Sequence, residues 1–326
     1  MIAVTGANGL LGSFLVRKLV EKNEVFVALK RQGSDTSLLN DIADKITWRD
    51  ADVLDAQAID EAFHDVTHVF HTAAAVSFNP RRAKEVLNVN ALGTRHVVNA
   101  ALVNGVKRLV HVSSVAALGR QKDQNLITEN NKWVDSPLNS VYAQSKYLAE
   151  LEVFRGQEEG LSSVVVNPSL ILAPADWTRS SAQLFKYVWD EKPFYMDGFL
   201  NYVDVRDVAD LSYRLLNHPV QGERFIASAG KISYSDFFSS IARKFNKKSP
   251  GIRVSKGLLS VMAAVEAVRA KVAGVEPLVT RERARLAGTE FLYESTKIRN
   301  TLNFEFQPID ETLQWCCEYY MEKNPH

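Results

Sequence analysis

The sequence predicts an α/β protein: a doubly wound parallel sheet, joined to a smaller mixed α/β C-terminal domain. Three observations lead there. Apolar strand-like runs alternate with helix-period segments through the first half of the chain. Some of those runs, such as the valines at 164–166, are continuously apolar, as strands buried on both faces are. A glycine-punctuated turn, TGANGLLG at 5–12, separates the first strand run from the first helix run.

Taken in order, IAVTG at 2–6 reads as a strand, 10–23 as a helix and EVFVALKR at 24–31 as the second strand. A loop and helix follow, then a strand with a turn at 45–55, a helix at 58–66 and a strand at 67–76. Residues 85–105 form one long helix pattern that stops at Asn-Gly, and 106–117 is the next strand. A helix starts at 140, and 162–172 is another apolar strand. Beyond about residue 170 the alternation weakens, and Pro168, Pro174 and Pro193 punctuate a loop-rich region. A short strand and helix at 202–216 and a strand at 222–228 precede mostly helical segments. The expected division is 1–170 for the nucleotide-binding domain and 171–326 mainly for substrate. The two are expected to interleave, with 202–216 the candidate for returning to the first.

The 326 residues suffice for one large or two ordinary domains, and 46% hydrophobic with 24% charged residues is the composition of a globular chain with a real core. A net charge of +1 gives no electrostatic reason to expect nucleic acid or an anionic membrane as partner. The two cysteines are neighbours, Cys316 and Cys317, which suits a reducing, cytoplasmic setting. No His/Cys/Asp cluster has metal-ligand spacing, so no metal is expected. A strand begins at Met1, which leaves no room for a cleavable signal, and no uncharged apolar run reaches the roughly 18 residues of a spanning helix. The nearest, 257–274, is interrupted by Glu266, Arg269 and Lys271 and reads as an amphipathic helix on its own domain, with a membrane-surface helix as the alternative.

In the 5–12 turn, Gly6, Gly9 and Gly12 frame Asn8 and Leu10 between a strand and a helix. Such glycines permit a tight turn, close approach of backbone to a pyrophosphate and close helix–strand packing. The helix N-terminus offers free N–H groups to the phosphates. A dinucleotide-binding Rossmann-type fold is the reading, although the spacing is GxxGxxG rather than GxGxxG. The second strand ends in Lys30 and Arg31, where a site preferring NAD has an acid for the ribose hydroxyl. A guanidinium suits a 2′-phosphate, so NADP(H) is favoured over NAD(H). Asp35 is an alternative ribose partner that sits four residues late.

YxxxK occurs three times, at Tyr142/Lys146, Tyr293/Lys297 and Tyr319/Lys323. Residues four apart share a helix face, and a cation near a phenol of ordinary pKa about 10 favours the phenolate. Only Tyr142 follows a serine, Ser114, at the end of a parallel-sheet strand, beyond which ligands of such sheets bind.

TGANGLLG, ADVLD at 51–55, HTAAAV at 71–76, HVSSVAALG at 111–119 and YAQSK at 142–146 occur in that order, followed by NPSLILAP at 167–174 and YVDVRDVAD at 202–210. Together they resemble the extended short-chain dehydrogenase/reductase superfamily, most nearly its dihydroflavonol-reductase-like and 3β-hydroxysteroid-dehydrogenase-like branch, over nearly the whole chain. The resemblance implies an oxidoreductase that acts on a ketone or aldehyde, or on the matching alcohol, with Ser114, Tyr142 and Lys146 catalytic. By the SSxxxxG pattern the second serine, not Ser113, takes the catalytic place. It also implies that Lys146 holds the nicotinamide ribose, that Asp52 and Val53 contact adenine, and that Thr72, Ala73 and Ala74 pass beneath the cofactor. Asn90 stands near the active site, with a structural role equally open, and Pro168 and Ser169 shape the nicotinamide pocket. His71 and His111 read as core residues.

Departures from the family's patterns narrow the reaction. Val115, Ala116 and Ala117 stand where sugar-nucleotide dehydratases carry an acid pair, and Leu118 where epimerases carry a tyrosine. A reductase fits best; a nucleotide-sugar epimerase and a non-catalytic NADP(H) sensor are the alternatives. Substrate candidates are Ser77, Phe78, Asn79, Trp177 and Tyr202, with Phe185 and Tyr187 nearby in sequence, which points to an apolar or aromatic carbonyl compound; the aromatics read equally as core of the second domain. The resemblance leaves monomer and homodimer both open.

Overall fold

A computed structural model describes residues 1–120, 124–177, 181–255, 257 and 290–324. Apart from its first residue, the 257–274 stretch lies outside the described residues.

The first half alternates as expected: β1 (Ile2–Thr5), α1 (Leu10–Glu21), β2 (Phe26–Lys30), β3 (Trp48–Asp50), α2 (Ala56–Ala62) and β4 (His68–His71). Next come α3 (Ala83–Leu87), a π-turn (Asn88–Leu92), α4 (Gly93–Val103), β5 (Arg108–Val112), β6 (Leu126–Ile127), α5 (Val141–Glu158) and β7 (Ser163–Pro168). The second half supplies β8 (Leu170–Leu172), α6 (Ala182–Trp189), β9 (Phe194–Met196), β10 (Phe199–Asp204), α7 (Val205–Leu216) and β11 (Glu223–Ala227). It continues with β12 (Gly230–Ser233), α8 (Tyr234–Phe245), β13 (Ile252–Val254), β14 (Leu292–Tyr293), α9 (Thr296–Leu302) and α10 (Ile309–Lys323).

Among the described residues, seven strands form one parallel sheet in the order β11-β7-β5-β4-β1-β2-β3. The order reverses between β1 and β4, which opens the crevice where ligands of such sheets bind. Both faces are covered. One core packs β1, β5 and β7 side chains under α1 and α7, and the other packs Val69, Leu109 and Val165 against Val97, Val98 and Val153 of α4 and α5. The continuous valines of β7 follow from this double burial.

Three strands read as longer than they are. The one expected over 67–76 stops at His71, because the chain then crosses the glycine turn: a Cβ on Gly6 would lie 2.7 Å from Cα of Ala73. The one expected over 106–117 stops at Val112, and Ser114 caps a short 3-10 turn, Val115–Leu118. The one expected over 162–172 breaks into β7 in the main sheet and β8 in a mixed sheet with β10 and β12. Pro168 has no N–H with which to continue the ladder. Helix 85–105 is likewise divided by the π-turn around Asn90.

The return of the chain is deeper than 202–216 alone. Helix α7 packs on α1 and β5, and β11 adds the outer strand beside β7. A further core of Phe185, Phe237, Phe238, Leu313 and Tyr320 lies among α6, α8 and α10.

Candidate active site

The turn after β1 is built for close approach. Gly6 has φ +67° and a Cβ on Gly12 would lie 2.1 Å from the Gly6 carbonyl oxygen. Gly9 caps α1 with no side-chain bond, so the first-turn N–H groups stay available to an anion. Asn8 does not reach outward: its Nδ2 donates to the Asp35 carbonyl at 2.9 Å and ties the turn to the loop after β2. Leu10 packs between two cores.

A cavity of about 530 Å³ opens at the carboxyl ends of β2 and β3, lined by Arg31, Ser34, Asp50 and Asp52 among others. The two basic residues part company here. Lys30 Nζ donates to Asp50 Oδ1 at 2.5 Å, so its charge is matched within the fold. Arg31 is exposed on the cavity wall. Asp52 accepts from the Leu54 N–H at 2.9 Å. Val53 faces the core, against Gly93 of α4. Asp35 accepts from the Ser37 N–H and hydroxyl.

Between the turn and α4 runs a chain of hydrogen bonds whose directions can be assigned. Thr94 Oγ donates to the Asn90 carbonyl at 2.5 Å, so His71 Nε2, 2.9 Å from Thr94 Oγ, must be the donor of that bond. His71 Nδ1 then accepts from Thr5 Oγ at 2.7 Å, and Thr5 Oγ in turn accepts from the Ala73 N–H at 3.3 Å. Burial, then the Lys146 charge, lowers the His71 pKa to about 3, so the ring is neutral. His111 lies 5.1 Å from it, centroid to centroid, and its pKa is lowered by the same two causes in the same order. Unlike His71, it has no hydrogen-bond partner for either ring nitrogen among the described residues. The expectation of a satisfied core histidine therefore holds for His71 and not for His111.

Asn90 proves to be a clamp. Its Oδ1 accepts from Ala75 N–H at 2.7 Å, and its Nδ2 donates to Ala75 carbonyl at 2.9 Å and to Ser145 Oγ at 2.8 Å. It joins the 72–79 segment to α5 beside Lys146, and the π-turn sets it at that depth. Thr72 Oγ donates to the Thr5 carbonyl, while Ala74 is exposed.

Ser114 and Tyr142 meet beyond the carboxyl end of β5, and Lys146, one turn along α5 from Tyr142, reaches the last carbonyl of that strand. Ser140 caps α5 by accepting from Ala143 N–H, which starts the helix one residue before Tyr142. The Ser114 hydroxyl accepts from Ala116 N–H at 3.2 Å and faces the Tyr142 phenol. Burial raises the phenol above its usual 10, and hydrogen bonding to Ser114 opposes the rise. This corrects the expectation that the lysine draws the phenol down: in the protein alone, burial prevails. Lys146 is 2% exposed, and its Nζ donates to the Val112 carbonyl at 2.9 Å. Its pKa is lowered to about 8 by burial, against which the Glu150 carboxylate acts. The other two YxxxK pairs are elsewhere: Tyr293 lies in β14 and Lys297 in α9, while Lys323 stacks over Tyr319 on α10.

The substrate candidates divide. The Phe78 ring meets Tyr142 edge-on at 5.9 Å, and Ser77 and Asn79 hold the same loop, Ser77 Oγ accepting from Asn79 N–H. Trp177 instead stacks on Tyr320 at 4.1 Å, Tyr202 is buried in the same C-terminal core, and Phe185 and Tyr187 pack there too. Phe185 and Tyr202 are buried in this core, and Trp177 and Tyr187 pack against it half-buried. Ser169 N–H is spent on the Ala227 carbonyl and Pro168 has none, so neither offers a free backbone donor. Sequence reasoning missed Glu150, Asn167 and Arg224. Glu150 stands four residues past Lys146, a spacing that could have placed it on the same helix face.

Among described residues, no helix is long and apolar enough to cross a membrane. A Synechocystis sp. protein with the provisional name dihydroflavonol 4-reductase is 29% identical over 316 residues, covering 95% of this chain and 91% of the relative. Cinnamoyl-CoA reductase 1 of Petunia hybrida is 28% identical over 260 residues, covering 75% and 77%. The crystal structure of gox2253 superposes with a TM-score of 0.85 at 28% identity over 99% of this chain and 98% of that one. The model of the NAD dependent epimerase/dehydratase family matches residues 2–227, and a match over well over half of the chain, on this sheet order and glycine turn, makes it a member of that family.

Proposed function

We propose that this protein is an NADP(H)-dependent oxidoreductase that reduces a ketone or aldehyde, or oxidises the matching alcohol. The observation that carries this is the meeting of Ser114 with Tyr142 above a buried Lys146, at the switch-point side of the sheet. The reductase names borne by relatives support it. Bound NADP(H) would supply the hydride. It would lie along the glycine turn, with Arg31 toward a 2′-phosphate and Lys146 toward the nicotinamide ribose.

The chain's own residues handle the proton. A phenol raised above 10 is protonated at neutral pH and so is a proton donor. Tyr142 gives that proton to the carbonyl oxygen as charge develops on it. Ser114 donates a hydrogen bond to the same oxygen, orienting it and sharing the charge. Lys146, cationic below about pH 8, stabilises the phenolate left behind. Phe78 forms an apolar wall beside the phenol, which favours an apolar or aromatic carbonyl substrate. No acid stands at 115–117 to serve a dehydration. The test is consumption of NADPH and of NADH with a panel of aromatic aldehydes, cyclic ketones and a nucleotide-sugar ketone. NADPH-dependent turnover of the apolar compounds is expected. Tight NADPH binding without turnover on any of them would count for the sensor reading, and turnover of the nucleotide sugar alone for the epimerase.

A further inference from the structure

We propose that Glu150 is a positioning residue for this site: its buried carboxylate holds Lys146 as the ammonium and anchors the Ser114 backbone through Asn167. The proposal rests on the reading of Tyr142 and Lys146 as the proton-handling pair.

Tyr142, Lys146 and Glu150 follow one another at intervals of four along α5, so one helix face carries all three. Glu150 is fully buried. Its Oε1 accepts from Asn167 Nδ2 at 2.5 Å, and the same Asn167 Nδ2 donates to the Ser114 carbonyl at 2.9 Å. Asn167 thereby fixes the backbone of the serine that faces the substrate oxygen, and Glu150 fixes Asn167. Ser113 sits beside the same carboxylate without a bond of standard geometry.

On its other side Glu150 Oε2 pairs with Arg224 Nη1 of β11 at 3.3 Å. Arg224 also donates to the carbonyls of Glu129 and Asn131, in the loop that leads from the Ser114 turn to α5. Burial raises the Glu150 pKa above the usual carboxylate range, and the Ser113 hydroxyl, the Arg224 guanidinium and the Asn167 amide oppose the rise by favouring the ionised form. A buried anion is costly unless so partnered.

The groups that face Lys146 are accounted for element by element. From α5 come Tyr142 and Glu150. From β4 and β5 come His71, His111 and the Val112 carbonyl. Both histidines are neutral, and the phenol is protonated at neutral pH. Glu150 is thus the carboxylate that favours the ammonium where burial opposes it.

The test is the titration of Lys146 followed by ¹³Cε NMR in the cofactor-free protein, with the signal assigned by Lys146→Arg. In the wild type the midpoint is expected near 8. In Glu150→Gln, which keeps the shape and loses the charge, it is expected to fall by about 1 unit, and in Glu150→Asp to stay closer to the wild type. A carboxylate that only braces the fold would lower stability in Glu150→Gln and leave the midpoint in place, and that result overturns the proposal. Should Glu150→Gln not fold, the Glu150 carboxyl can be titrated in the wild type. It must ionise at lower pH than Lys146 loses its proton, and the reverse order overturns the proposal. The alkaline limb of NADPH-dependent turnover should move with the Lys146 midpoint. A wild type without turnover on the carbonyl panel would refute the reductase reading alone, since the NMR midpoints need no turnover.

Discussion

Replacing Arg31 by alanine should separate the two nicotinamide cofactors. The notable contrast at the end of β2 is between a lysine already paired and an arginine left at the cavity wall. Lys30 is bound to Asp50 at 2.5 Å, so the pair presents little net charge to a ligand. A guanidinium–phosphate hydrogen bond contributes about 1.5–3 kcal/mol, and each 1.4 kcal/mol is about tenfold in affinity. Arg31→Ala should therefore weaken NADPH binding about 10- to 100-fold and leave NADH within about twofold, since NADH has no 2′-phosphate to lose. Lys30→Met alone would expose the Asp50 charge, so the informative control is Lys30→Met with Asp50→Asn, which removes the pair as a unit. That double variant should keep NADPH affinity within about threefold. The assay is calorimetric titration of both cofactors into each protein at fixed salt. Equal weakening of NADH and NADPH in Arg31→Ala would refute the reasoning, and so would a double variant as impaired toward NADPH as Arg31→Ala.

Other consequences follow from the same geometry. Gly12→Ala puts a Cβ 2.1 Å from the Gly6 carbonyl oxygen, so α1 must move off the turn. A loss of about 1–3 kcal/mol in stability is expected, with NADPH and NADH binding both weakened, by urea titration and calorimetry. The buried histidines make the fold sensitive to acid. The His71 pKa is about 3 folded against 6.5 unfolded, so its contribution is present above 6.5 and is lost as pH falls toward 3, at about 1.4 kcal/mol per unit. His111→Phe removes a second such group and two nitrogens that have no partner among the described residues, so between pH 7 and pH 5 its urea midpoint should fall less than that of the wild type.

Much of the fold could be read from the sequence because its signals are local and redundant. The alternation of strand and helix and the glycine turn after β1 each depend on neighbours within a few residues. Tyr142 stands apart from the other two YxxxK tyrosines by its order after Ser114. What could not be read depends on contacts distant in sequence. The commitment of Lys30 to Asp50 is set by the register of β2 against β3. The Glu150 carboxylate looks like a solvated helix charge until β7 and β11 bring Asn167 and Arg224 to it. Trp177, Tyr202, Phe185 and Tyr187 share the composition of a substrate pocket, and only the packing of α6, α8 and α10 shows them in or against the C-terminal core. The rise of the Tyr142 pKa reflects burial, which the spacing of a tyrosine and a lysine does not encode.

The most direct test of the central claim is isotope transfer. Wild type and Tyr142→Phe would each be incubated with a reactive aromatic aldehyde and NADPH carrying deuterium at the transferable C4 position, and the alcohol product examined by mass spectrometry and NMR. One deuterium at the former carbonyl carbon is expected from the wild type. Tyr142→Phe should give about 100-fold less product or lower still, with NADPH affinity retained. Deuterated product at an undiminished rate from Tyr142→Phe would contradict the assignment of Tyr142 as the proton donor, and with it the Ser114–Tyr142–Lys146 account.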